Sequence, residues 1–437
     1  MVFSKKYGSI FSIYLMGRTT MVITNPRVFP TIFKDSKLFD FRNFIEGLVQ
    51  VVLNIPKAAA TSKALKDANH AQYVKHLTGS SVYPLTEAFI YSLLNKINDE
   101  ISHLPTRGTT IELVGFSQKV VFNASCKALF GSTCPSDIRS DVFLFDEGMH
   151  LIFANFPSFI TSKYIKARER CISAFMKMLE TGMQNPNALA ASQDQVLIDE
   201  GFDLQTRGSS LFGLMWGLQT NSTQAAFWCL AYLLTKTTSD FRQKLFEEGK
   251  EAFKVSLTST NTLTATPNIP LLTSAPYLSA LFNETLRTTS GTLMWREVSR
   301  DTVVEDPESG RKFLARKGGL VSLPARHVHL DEGIYERADE FRPERWIESK
   351  DGTRDGKMGR IGLLPFGGGV SLCPGRFFAS HEIKSFVALM LQLFDMEVLD
   401  PLPGLGLNQY GVGVMAPTGK MRVQITLKNE WKGALKA

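Results

Sequence analysis

The chain has 437 residues, 44% of them hydrophobic, with a formal net charge of +7 and five cysteines. That charge is not gathered into a basic stripe, which argues against nucleic acid as a partner, and the odd, irregularly spaced cysteines argue against a disulfide framework and for a reducing compartment. No Cys-x-x-Cys or His-x-x-x-His cluster points to zinc. Length alone would allow about three domains, but no Gly/Ser- or Pro-rich linker and no internal repeat divides the sequence. One domain over 1–437 is therefore expected.

The N-terminal residues carry no signal peptide and no apolar span of about twenty residues. The modest positive charge suits docking of an acidic electron-transfer partner or an anionic membrane surface. Residues 184–207 and the Ser/Thr/Asn/Pro-rich stretch 256–270 read as loops. Residues 208–234 are mostly apolar but hold six consecutive polar residues, Gln219 to Gln224, at their middle. In lipid these would cost several kcal/mol in total, so a buried helix crossing a polar cofactor pocket fits better than a membrane span. Further on, Glu284 and Arg287 are three apart and share one helix face. Arg345 offers a planar guanidinium that could complete a Glu-Arg-Arg cluster with bidentate geometry.

Residues 365–379 read Pro-Phe-Gly-Gly-Gly-Val-Ser-Leu-Cys-Pro-Gly-Arg-Phe-Phe-Ala. Cys373 lies between a glycine turn and a long apolar helix predicted over 376–394. The positive end of that helix favours thiolate over thiol, and Gly367, Gly368 and Gly369 let backbone approach a large planar ligand. A phosphate loop is disfavoured, because no Lys-Ser/Thr follows the glycines. Thiolate with close backbone approach suits an axial ligand to haem iron.

The run Phe366-x-x-Gly369-x-x-x-Cys373-x-Gly375 resembles the haem loop of the cytochrome P-450 superfamily. Glu284-Thr-Leu-Arg287 is similar to the family's Glu-x-x-Arg, and Phe341-Arg-Pro-Glu-Arg345-Trp346 to the segment that follows it. The resemblance covers nearly all of the chain. It implies a mainly α fold with a small β region, haem b (iron protoporphyrin IX) held between a distal and a proximal helix, and Cys373 as the iron's axial ligand. Phe366, Gly369, Gly375 and Arg296 are implied haem contacts, and Glu284, Arg287 and Arg345 structural residues. Lys6 to Arg18 resembles the family's first strand pair, so a membrane anchor and hinge are expected to be missing ahead of it. The full protein is expected at the cytosolic face of the endoplasmic reticulum membrane, as a monomer served by NADPH-cytochrome P-450 reductase.

The chain departs from the family pattern on the distal side. Most members carry an acid–threonine pair for proton delivery; here Thr220 stands at the acid position and Asn221 at the threonine position, with Ser222 next. This is similar to the subgroup containing cholesterol 7-alpha-hydroxylase, sterol 12-alpha-hydroxylase and prostacyclin synthase. Thr220, Asn221 and Ser222 are the candidate catalytic residues, acting through hydroxyls and an amide-held water; Thr223 reads better as bonding back to its own helix. Ser371 replaces a common Arg or His, leaving Arg296 as the implied propionate partner. Lys75 or His76 is a candidate substitute for an absent Trp-x-x-x-Arg, and His329 reads as structural. Candidate pocket residues are Phe212, Met215, Trp216, Thr292, Met294 and Val412, an apolar set with sparse hydroxyls that suits a steroid, terpenoid or other lipid-like substrate. A haem-thiolate monooxygenase is expected. Its alternatives are an isomerase or dehydratase acting on a peroxide-like substrate without external electrons, and a haem-binding protein without turnover.

Overall fold

The structure, a computed structural model, describes residues 6–15, 17–102, 105, 108–347, 362–406, 411 and 413–436. Its framework is helical and is organised around one helix, Leu204–Lys236, of 33 residues and roughly 50 Å. That helix starts where Asp203 accepts a hydrogen bond from the Thr206 N–H at 2.8 Å, satisfying an otherwise unpaired donor of the first turn. Its buried face meets Leu113–Phe130, Ser158–Thr181 and Arg376–Leu393. Phe212 packs on Phe145 and Phe175, with ring centroids 5.2 and 6.4 Å apart. Burying one such ring stabilises by about 1.5–3 kcal/mol. The helix Arg376–Leu393 is apolar nearly all round because other elements surround it.

A five-stranded sheet lies at one end, in the order Ile10–Leu15, Arg18–Ile23, Leu320–Pro324, Leu293–Val298, Phe39–Asp40. Its pairs are antiparallel except Leu320–Pro324 against Arg18–Ile23. A second sheet joins Phe394–Val398, Arg422–Leu427 and Thr109–Glu112. The helical core and the sheet core are separate clusters of buried side chains, and Trp346 packs against both.

Two expectations need correction. The predicted loop 184–207 contains the helix Ala188–Asp199, capped by Asn187. The predicted loop 256–270 is mostly a hairpin, Phe253–Leu257 against Leu263–Pro267, followed by a helical turn at Ile269–Ser274. Cys126 and Cys134 are joined by a disulfide, with Cα atoms 6.0 Å apart. Cys171, Cys229 and Cys373 are free. Among the described residues no helix is long and apolar enough to cross a membrane.

Candidate haem site

The loop before Arg376–Leu393 turns through two residues with left-handed backbone, Gly367 (φ 80°) and Gly369 (φ 66°), a conformation that strongly favours glycine. The Cys373 N–H donates to Phe366 O at 3.0 Å and closes the turn. Gly368 is needed for a reason not expected from sequence: a Cβ there would lie 2.6 Å from the ring of Phe33, so part of the glycine run is used to seat that ring. A Cβ on Gly375 would lie 3.2 Å from Leu218 and 3.8 Å from the Cys373 sulfur. The thiol therefore sits beside the middle of Leu204–Lys236.

Burial raises the pKa of Cys373, against the lowering effect of the Gly375 and Arg376 N–H groups and the Arg376 charge. The helix start alone thus does not favour the thiolate that the sequence predicted; a cation coordinated by Cys373 would supply the missing charge, as metals do for thiols.

Arg287 forks onto Glu284 at 2.9 and 2.8 Å and donates to the carbonyls of His329, Ala338 and Glu340. Arg345 Nε reaches the same carboxylate at 3.2 Å, as do Trp346 Nε1 at 2.9 Å and the Arg342 N–H at 2.8 Å. The side chains of Glu284, Arg287 and Arg345 are fully buried, so three segments close on one satisfied charge cluster. His329 is also buried; its Nε2 accepts from the Leu364 N–H at 2.9 Å, at the entry to the Cys373 loop.

Arg296, the implied propionate partner, meets Ser371, the departure on this side: Arg296 donates to Ser371 Oγ at 2.6 Å and to Gly368 O at 3.0 Å. The guanidinium is buried between Phe33 and Phe41, and desolvation lowers its pKa to about 10. Among the described residues no carboxylate pairs with it, and Asp40 acts only at longer range. A buried cation with donors to spare fits an anionic group at the edge of the Cys373 loop. Lys75 is exposed and His76 half-exposed, the latter within 3.5 Å of Ser192, so neither is brought into this cluster. Tyr73 on the same helix packs against the helical core, and burial raises its phenol to about 12.

The distal helix shows an accessible strip at its middle. Gly217 is exposed and Trp216, Leu218 and Asn221 are half-buried, while Gln219, Thr220, Ser222 and Thr223 are buried. A Cβ on Gly217 would meet open space. Thr220 Oγ1 donates to Trp216 O at 3.1 Å, and Thr223 Oγ1 to Gln219 O at 2.9 Å, so both hydroxyls bond back to their own helix. Ser222 is buried in the helix beside them. Asn221 Oδ1 accepts from the Val414 N–H at 2.8 Å.

The predicted pocket set divides. Phe212 packs on Phe145 and Phe175, and the Met215 sulfur lies 4.0 Å from that of Cys126; both serve the helical core. Met294 belongs to the sheet core. Thr292 donates to Pro365 O at 3.3 Å, beside the Cys373 loop. Trp216 borders the strip and donates from Nε1 to Asp146 at 2.8 Å. Val412 lies outside the described residues.

The family profile for cytochrome P450 matches residues 1–423. A 7-alpha-hydroxycholest-4-en-3-one 12-alpha-hydroxylase of Oryctolagus cuniculus is 30% identical, covering 97% of this chain and 87% of its own. A 5-beta-cholestane-3-alpha,7-alpha-diol 12-alpha-hydroxylase of Sus scrofa is 26% identical, with the same coverages. Cytochrome P450 7A1 of Sus scrofa is 24% identical over 97% and 88%.

The chain belongs to the cytochrome P450 family.

It is an enzyme of the P450 monooxygenase type, and its relatives include the sterol hydroxylases that its distal helix resembles. Membership in the P450 family implies haem, and three features fit that group: a half-buried thiol on a turn, an open strip across from it, and a buried guanidinium without a carboxylate. Two residues of this P450 escaped the sequence. Tyr73 was passed over because the family marker on its helix is absent. Asp146 is buried, with its carboxyl raised to about 6 by desolvation; only its place four residues before His150 on an apolar helix face could have marked it.

Proposed function

We propose that this P450 is a haem-thiolate monooxygenase that hydroxylates a steroid-like substrate, using haem b. Electrons come from NADPH-cytochrome P-450 reductase, and the monomer works at a membrane surface of the endoplasmic reticulum. The observation that carries this reading is the seating of the Cys373 loop against Leu218, next to the exposed Gly217 on the distal helix. Relatives named as sterol hydroxylases across 97% of the chain support the substrate class.

Cys373 would hold the iron through its thiolate, and Arg296, oriented by Ser371, would neutralise a propionate. When bound, the haem supplies dioxygen activation and insertion of one oxygen atom into a C–H bond. The residues around it bind and orient. Trp216, held by Asp146, presents a flat apolar wall suited to a fused-ring substrate. Gly217 leaves room beside it. Thr220 is tied to its helix, so Asn221 is the polar group left on the open strip.

The test is the spectrum of the reduced carbon monoxide complex, followed by turnover of a sterol with NADPH and reductase. A thiolate-type Soret band with a hydroxylated product is expected. Absence of that band would overturn the haem-thiolate assignment. A normal band with product formed only from a peroxide would select the isomerase, and a band without any turnover would select a binding role. Cys373→Ser should keep native circular dichroism while losing the band; an unchanged spectrum would refute Cys373 as ligand.

A further inference from the structure

Asn221 lies one turn after Gly217 on the accessible strip, and residues four apart share a helix face. Its amide has two chemically different ends, an acceptor oxygen and a donor NH2. The segment that follows Gly411 decides which end goes where. Gly291 N–H donates to Gly413 O at 2.7 Å, Met415 N–H to Thr289 O at 3.0 Å, and Gly411 N–H to Gly291 O at 2.8 Å. Trp228 Nε1 adds a bond to Met415 O at 2.7 Å. This backbone is therefore fixed from two sides before Asn221 meets it, and it offers Asn221 a donor, the Val414 N–H. A donor can be answered only by the amide oxygen.

Gly413 makes that approach possible. A Cβ there would stand 1.9 Å from Asn221 Oδ1 and 2.8 Å from its Cγ. With the oxygen held, Nδ2 has no hydrogen-bond partner among the described residues, and Asn221 remains half-exposed toward the open strip.

We infer that Gly413 and the Val414 N–H are positioning elements that lock the Asn221 amide, so that this P450 presents an N–H donor to an oxygen acceptor on the distal side. The inference rests on the haem-thiolate reading for the identity of the pocket. It assigns the pocket a preference for ligands whose buried end carries an oxygen acceptor, such as a ketone, hydroxyl, ether or peroxide oxygen. It also assigns Asn221 a role that an acid at the same position would not share, because a carboxylate only accepts.

Carbon monoxide on the reduced haem-loaded protein is the probe, with its C–O stretch read by infrared spectroscopy. An N–H donor facing the ligand oxygen lowers that stretch. Asn221→Ala should move it to higher wavenumber, and Gly413→Ala should move it the same way although the amide is still present. Asn221→Asp keeps an acceptor for Val414 and should keep the urea midpoint that Asn221→Ala loses. Removing the donor should weaken binding of a steroid ketone about two- to tenfold, the loss expected for one net hydrogen bond. An unchanged stretch in Asn221→Ala would overturn the donor assignment. Equal midpoints for Asn221→Asp and Asn221→Ala would overturn the lock, even if Gly413→Ala fails to fold. A wild-type protein without the thiolate-type band would fail the haem reading; a normal band with an indifferent Asn221 would fail this inference alone.

Discussion

Glu284 accepts from Arg287, Arg345, Trp346 and the Arg342 N–H with no side-chain exposure. Its value shows when a partner is removed, since a charge is then stranded away from water. Arg345→Ala should cost about 3–5 kcal/mol, read as a lowered urea midpoint; a shift of less than about 1 kcal/mol would mean water reaches the cluster. Glu382 behaves differently. Burial raises its carboxyl from 4.5 to about 8 despite a hydrogen bond from Ser125, so it is folded in its neutral form. Its contribution to stability is fully present below pH 4.5 and is lost as pH rises to about 8, because only the unfolded state ionises freely. Glu382→Gln should flatten this part of the stability–pH curve, checked by denaturant titrations between pH 5 and about 8. The first cluster was legible because Glu-x-x-Arg fixes a helix face. Glu382 was not, because its buried neighbours come from helices far away in sequence.

Leu204–Lys236 is the element on which both the core and the site depend. Asp203 caps it through the Thr206 N–H, far from the accessible strip. Asp203→Ala should therefore cost about 0.5–2 kcal/mol, seen in thermal melts, while leaving the carbon monoxide spectrum unchanged; a changed spectrum would show that the helix start also sets the site. The helix itself was legible from its apolar run with a polar centre. Ala188–Asp199 was missed although its signal was present: Asn187 accepts from the Leu189 N–H at 3.0 Å as a cap, followed by Leu189, Ala190 and Leu197, all buried. The polar residues between them outweighed that pattern. The hairpin at 253–267 was hidden in the same way by the threonine-rich turn between its strands.

Across the whole molecule, the proposed haem site would draw on the sheet through Arg296, on the proximal loop through Cys373 and Ser371, and on the distal helix through Asn221. A group bridging these parts stabilises the native state alone. Haem-stripped protein should melt below the loaded enzyme, with amide exchange accelerating first at the Cys373 loop and around Gly217; equal melting temperatures would show that the parts hold together without it. The sequence by itself determined the thiol, the Glu-Arg-Arg cluster and the order of the helices around them, because those signals are short-range: a turn, a helical spacing, an apolar run. Only the tertiary structure decided where the polar side chains point. Thr220 and Thr223 bond back to their helix, Ser125 finds Glu382, Arg296 finds Ser371 and Asn221 finds Val414. The last three partners are contributed by segments distant along the chain, and each polar group takes whichever partner packing leaves within reach once water is excluded.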